Sequence, residues 1–226
     1  MSISRSEVLD HGYVSLEAVM GDDFTPVEAA RVSTDQGRKG EEADEKLTRF
    51  LLRHGHTSPF EMVEMRWEVS CPIFVAREWV RHRTANWNER SLRYTSVDNP
   101  EFYKPAEWRL QSTKNKQSSE GVLDKARSTY ISHKYWEHVL QGERLYKEMK
   151  SLNISNELAR LALPISYYTK FWWKNDMKNT MDFLRLREDE GAQQEIREYA
   201  EAMHVMIRNQ FPKLMRIYEH WMRTKS

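Results

Sequence analysis

The sequence predicts an α+β fold: a mixed or antiparallel sheet flanked by long helices. Three observations carry that expectation. One segment alternates apolar and polar residues with a period of two, several others repeat apolar residues at spacings of three and four, and no strand–helix–strand rhythm links them. The 226 residues suit one domain spanning 1–226, with no linker marked by composition.

From Glu41 to His54, Leu47, Phe50 and Leu51 share a face opposite Glu42, Asp44, Glu45 and Arg49, the pattern of an amphipathic helix. Val63, Met65, Trp67 and Val69 then alternate with Glu64, Arg66, Glu68 and Ser70, which reads as a strand buried on one face. Pro72 suits a first helical position, followed by Ile73, Ala76 and Val80 at helical spacing up to Arg83. Residues Thr84 to Tyr103 read as extended or looped. Arg109 to Gly121 is dominated by polar residues and reads as a mobile loop. Helices are expected from about Val122 to Met149 and from Asn156 to Leu163, with Pro164 as a stop. Tyr167 to Trp173 is aromatic and β-prone. The remainder reads as helices, with Ile196, Tyr199, Ala200, Met203 and Ile207 on one stripe and Pro212 as a break.

Composition narrows the function classes. Charged residues make up 31% and aromatics 12%, including eight Trp, which argues against disorder. One Cys excludes a disulfide framework and a multi-cysteine metal site. No apolar run reaches the roughly 20 residues that span a membrane, and the stretch Met1 to Glu7 lacks the apolar core of a signal peptide, so a cytoplasmic location is expected. Eight scattered Gly leave no Gly-rich phosphate loop, so a bound nucleotide would be held by side chains and helix ends.

The chemistry concentrates between positions 77 and 93. Arg77, Arg81, Arg83, Arg90, Arg93 and His82 stand against only Glu78 and Glu89, the composition of an anion site. A well-placed arginine bond to phosphate contributes about 1.5–3 kcal/mol. Trp79, Trp87 and Tyr94 are interleaved and could stack on a planar ring. The same residues would also suit an ion-paired helix face, or a nucleic-acid module with stacking platforms. The net charge of +1 argues against broad polyanion binding.

Arg81-His82-Arg83, seven residues and then Ser91 resembles the signature of the flavin-dependent thymidylate synthases. Upstream, Ala29-Ala30-Arg31-Val32-Ser33 and His54-Gly55-His56-Thr57-Ser58-Pro59-Phe60-Glu61 are similar to that family's flavin-side motifs. Downstream, Glu157-Leu158-Ala159-Arg160 before Leu163-Pro164, Phe183-Leu184-Arg185-Leu186-Arg187, and Ala192-Gln193 with Glu195-Ile196 continue the likeness in the right order.

The resemblance implies a thymidylate synthase-complementing type of fold and methylation of dUMP at carbon 5. It implies methylenetetrahydrofolate as carbon donor, FAD as hydride source, NADPH as reductant, and a homotetramer with sites formed between subunits. It places Glu78, Trp79, Arg81, Glu89, Ser91 and Arg93 at dUMP, with backbone help from Arg90 and Leu92, and Arg160 approaching from another subunit. Arg187 would sit by ring nitrogen 3 as the catalytic residue, stabilising charge that develops on the uracil. Ser33, His56, Ser58, Glu61, Arg81, His82, Arg83 and Glu89 would meet the flavin, followed by Asp176, Met177, Lys178 and Asp182.

Some residues depart from the family. Glu78 stands where Gln is frequent, exchanging a donor amide for an acceptor that repels phosphate unless a basic group pairs with it. Asp176, Lys178 and Asp182 stand where related chains vary, and Gly191 replaces a histidine. A second pyrimidine nucleotide, UMP or a cytidine nucleotide, therefore remains an alternative substrate. Ser91 has no assignable base and reads as a binding residue. Cys71, at the end of a strand without a basic motif, reads as a buried structural thiol. His54 and His56 have no third ligand at a recognisable spacing, and no metal site is expected.

Overall fold

Alternation builds the sheet. The computed structural model describes residues 2–225, and its N-terminal part pairs β1 (Ser4–Val8) with β2 (Gly12–Met20). Helices α1 (Thr25–Val32) and α2 (Glu41–Arg53) lead to a 3-10 turn at Ser58–Met62. There follow β3 (Glu64–Pro72), α3 (Ile73–Trp79), β4 (Asn86–Glu89), β5 (Arg109–Gln111) and β6 (Ser119–Val122). The remainder holds α4 (Lys125–Ser151), α5 (Asn156–Ala159) running into a 3-10 turn at Arg160–Ala162, and β7 (Tyr168–Asp176). It ends with α6 (Met177–Arg187), α7 (Gln194–Gln210) and α8 (Pro212–Lys225).

An antiparallel five-stranded sheet runs in the order β1-β2-β3-β7-β4. Trp67 and Trp173 face each other across β3 and β7, and both are buried with Met65, Val69 and Phe171. On the opposite face, Glu68 pairs diagonally with Lys170 at 2.7 Å and Glu64 with Lys174 at 2.8 Å. The stripe Ile196, Tyr199, Ala200, Met203 and Ile207 lays α7 on the sheet, each residue fully buried. The Tyr199 hydroxyl donates to the Ser70 carbonyl at 2.7 Å. Gly12 is required below it, because a Cβ there would lie 1.9 Å from that hydroxyl.

The structure moves several sequence expectations. Pro72 closes β3 and caps α3, so the helix starts one residue later than expected. It ends at Trp79 rather than Arg83, where the His82 amide turns back to the Trp79 carbonyl at 3.0 Å. That turn returns the chain to the sheet, where Trp87 of β4 stacks on Phe171 with ring centroids 3.7 Å apart. The loop expected from Arg109 to Gly121 is a two-stranded ribbon. Its polar residues make the turn: Ser112 Oγ accepts from the amides of Lys114 and Asn115, and Glu120 accepts from Thr113. The β1–β2 hairpin lay outside the sequence-level expectation altogether.

Candidate active site

Two helix ends form the wall of a cleft. Helix α6 starts where β7 stops because Asp176 caps it, accepting from the Asn179 amide at 2.8 Å and from the Asn179 side chain at 2.7 Å. Phe183 and Arg187 lie four residues apart on one face of α6. Phe183 packs on Trp79 of α3, with ring centroids 4.8 Å apart. This aromatic contact brings Arg187, in the last turn of α6, to Glu78 and His82 at the end of α3.

There the Arg187 guanidinium meets three acceptors. Its Nε donates to His82 Nε2 at 2.9 Å, one terminal nitrogen to the Glu78 carboxylate at 3.0 Å, and the other to the Glu78 carbonyl at 2.7 Å. His82 lies edge-on to Phe183 at 4.8 Å. Burial, and then the Arg187 charge, push the imidazole down to about 4, so it is neutral and can accept. Glu78 is thus paired with a basic group, as its exchange for Gln required.

Glu78, Arg81 and Arg187 line a cavity of about 1570 Å³. Phe74, Tyr103, Trp108 and Tyr135 add aromatic surface to it. A buried network that sequence reasoning did not find closes its floor. Arg109 pairs with Glu195 at 2.5 Å, and the Tyr103 hydroxyl donates to the same carboxylate at 3.1 Å. Burial pushes the Glu195 carboxyl up, but the Arg109 bond outweighs this and leaves it below the usual range. Because Arg109 and Glu195 lie far apart in sequence, no local pattern signals their pairing.

The other expected residues fall into two groups elsewhere on the chain. Glu89 to Arg93 leave the end of β4. Glu89 accepts from Thr169 at 2.6 Å, and Arg90 is held by the Tyr167 hydroxyl at 2.5 Å and the Tyr168 carbonyl at 2.9 Å. The Arg90 amide is taken by the Lys170 carbonyl, and Ser91 Oγ accepts from the Arg93 amide. Arg93 reaches Glu157 at 3.7 Å, one turn from the exposed Arg160. Leu92 packs against a small cluster formed by Phe102, Val139 and Tyr167. The second group holds Ser33 after α1, His56, and Ser58 and Glu61 in the 3-10 turn that packs on α1 and α6. Lys178 and Asp182 of α6 pair at 3.0 Å on that side.

Two expectations need correction. Trp79 is fully buried among Phe171, Trp173, Phe183 and Tyr199, so it packs the core and offers no face to a substrate. Truncating such a residue costs about 3–5 kcal/mol. Met177 is equally buried, and its amide donates to the Val63 carbonyl, so it too belongs to the core rather than to a cofactor surface. Cys71 is buried, and burial pushes its thiol well up, away from the reactive thiolate.

Known proteins share this architecture. Residues 15–213 match the family described as thymidylate synthase complementing protein. A flavin-dependent thymidylate synthase of Thermus thermophilus is 43% identical over 212 residues, covering 94% of this chain and 77% of that protein. Another from Dictyostelium discoideum is 44% identical over 213 residues, covering 89% and 69%. The crystal structure of the UMP/dUMP methylase PolB from Streptomyces cacaoi, bound with 5-Br dUMP, superposes with a TM-score of 0.84 at 27% identity, covering 95% and 97% of the two chains.

Proposed function

From the premise that the chain belongs to the thymidylate synthase complementing protein family, we propose how its residues divide the work of one reaction. The chain is a flavin-dependent thymidylate synthase, which methylates carbon 5 of dUMP with methylenetetrahydrofolate as carbon donor. FAD, when bound, supplies hydride transfer, and NADPH recharges it.

At the cleft wall the reading is carried by Arg187, a donor-only group that lines the same cavity as Arg81 and is mostly buried at 15% side-chain exposure. Fixed donors aimed where charge develops are worth roughly 2.7–4 kcal/mol each in comparable sites. Arg187 takes the catalytic role toward the uracil ring. Ser91, Arg93 and the Leu92 backbone receive the phosphate end of dUMP, and Arg160 reaches it from another subunit. Glu89 takes part through a carboxylate already oriented by Thr169.

The flavin-side residues fit the chemistry of FAD. Arg81 and Arg83 are exposed and have neither a hydrogen bond nor an ion pair among the described residues, which suits a diphosphate. Ser33, His56, Ser58 and Glu61 are exposed polar groups suited to its hydroxyls and adenine. Lys178 offsets the charge of Asp182, while Asp176 serves chiefly as the cap of α6.

Assembly as a homotetramer belongs to the same proposal. Helix α4 is 27 residues long, yet buries only Val139 and Tyr146 among its described residues. It leaves Tyr130, Ile131 and Leu145 exposed, and Leu152, Leu158, Leu161 and Ile165 follow it on the surface. A cytoplasmic location is supported by the one free, buried cysteine.

An optical titration tests the reading. FAD is added to the purified protein, unbound flavin is removed, and the spectrum is followed as dUMP, UMP or dCMP is added. Saturable band shifts with dUMP and turnover with methylenetetrahydrofolate and NADPH are expected. A flavin that responds to UMP but not dUMP would reassign the substrate, and no flavin retention would overturn the cofactor site.

A further inference from the structure

A guanidinium carries five N–H donors on a stem with several rotatable bonds, so an unrestrained arginine rarely presents one orientation. At Arg187 three of the five are engaged: one by His82, and two by the carboxylate and carbonyl of Glu78. Both partners belong to the α3 end, whose position is fixed by Trp79 against Phe183. The imidazole is backed by Phe183 and cannot swing away without breaking that contact. The remaining two donors sit on the terminal nitrogens. Glu78 and Arg187 both line the cleft.

We infer that Glu78 and His82 are positioning residues for Arg187, holding its guanidinium in one orientation with two N–H groups left for the pyrimidine. This rests on the role proposed above for Arg187. The pairing also brings the corner close to charge balance before a nucleotide arrives, so the Glu78 carboxylate is committed to Arg187 rather than opposing a phosphate. His82 is correspondingly committed as an acceptor through Nε2, which leaves its proton on Nδ1. The charged groups acting on this imidazole are Arg187 and Asp182, both from α6, and the Glu78 carboxylate reaches it only through Arg187.

A merely structural tether between α3 and α6 would behave differently. It would lower the melting temperature while leaving turnover per folded molecule unchanged. Positioning instead lowers kcat while dUMP binding and flavin retention persist, because misorientation of a reacting group by about 1 Å costs on the order of 100-fold.

The test measures kcat and KM for dUMP in the methylenetetrahydrofolate-dependent reaction, with flavin content and melting temperature, in Glu78→Ala, Glu78→Gln and His82→Ala. Each is made both with Arg187 present and in an Arg187→Ala background. The expected result is an approximately 10- to 100-fold loss of kcat in Glu78→Ala with KM within about threefold. Glu78→Gln, which keeps a side-chain acceptor, recovers most of that loss. In the Arg187→Ala background the further change of Glu78 or His82 adds nothing to kcat. Losses that add to that of Arg187→Ala, or an unchanged kcat in folded Glu78→Ala and His82→Ala, would overturn the inference while leaving the proposed function standing. Should Glu78→Ala not fold, His82→Ala and the rescue by Glu78→Gln decide the matter alone. A wild-type protein that retains FAD but does not turn over dUMP would overturn both.

Discussion

Two histidines stand on either side of adjacent residues, and their environments drive them in opposite directions. Arg187 bonds His82, whereas the next residue, Glu188, bonds His204 at 2.6 Å. Both rings are half-buried. His82 faces a cation and is pushed down to about 4, chiefly by burial and then by Arg187. His204 bridges Glu188 and, at 3.1 Å, Glu219 of α8, and the Glu188 bond first of all raises it above 6.5 against the opposing effect of burial. Arg208 also approaches Glu219, at 3.5 Å. At similar exposure, then, burial lowers both rings, and the neighbouring charge decides the direction of the net shift: Arg187 adds to burial at His82, and the carboxylates overcome it at His204. One ring is a neutral acceptor at the cleft, and the other is a two-carboxylate staple between the end of α6, α7 and α8.

Removing the cation should break the first half of this comparison. Arg187→Ala is expected to lower turnover at least about 100-fold, with a folded, flavin-retaining protein. In the same variant the His82 titration followed by NMR moves up from about 4, yet stays below 6.5 because burial remains. Unchanged turnover, or a stationary His82, would contradict the assignment.

Removing the carboxylates should break the second half. In Glu188→Gln with Glu219→Gln, His204 keeps two acceptors but loses both carboxylate charges that raise it, and burial then pulls its pKa down. A raised folded pKa contributes stability that is complete below about 6.5 and is lost as pH rises through the folded value. The melting-temperature difference between wild type and this variant is therefore largest on the acid side and shrinks in alkali, by a few degrees at most. A difference that grows with pH would refute the staple.

Cys71 sharpens the contrast as a third buried titratable group, one without a stabilising counter-charge. Burial, and then Glu89, push its thiol up. Cys71→Ser is expected to give near-normal methylation, with about 1–3 kcal/mol of lost stability from burying a hydroxyl. Denaturant unfolding and steady-state turnover check both parts, and complete loss of turnover in a folded variant would point to a thiol nucleophile.

The repeating patterns were legible because backbone geometry itself sets their period. Met65, Trp67 and Val69 point one way from a strand, and Ile196, Tyr199 and Met203 one way from a helix, whatever surrounds them. The blocks around Arg81, Ser91 and Arg187 were legible as family motifs for the same local reason, each being a short continuous string. The polar ribbon after Arg109 misled because its Ser and Asn side chains build a turn with the same composition as a loop. Trp79 misled because an aromatic residue beside arginines suits a stacking platform as well as a core. Only the docking of α3 against β7, α6 and α7 settled the matter.

Local patterns along the chain set the α+β composition, the sheet-facing stripe of α7, and the motifs of the family to which the chain belongs. It took the folded arrangement to bring Glu78 to Arg187 and Arg109 to Glu195 beneath the cleft, and to shift two similar imidazoles in opposite directions. The physical reason is range. Propensity and periodicity act over a few residues, whereas a charge responds to whatever lies within several ångströms, here between residues 109 and 86 positions apart along the chain.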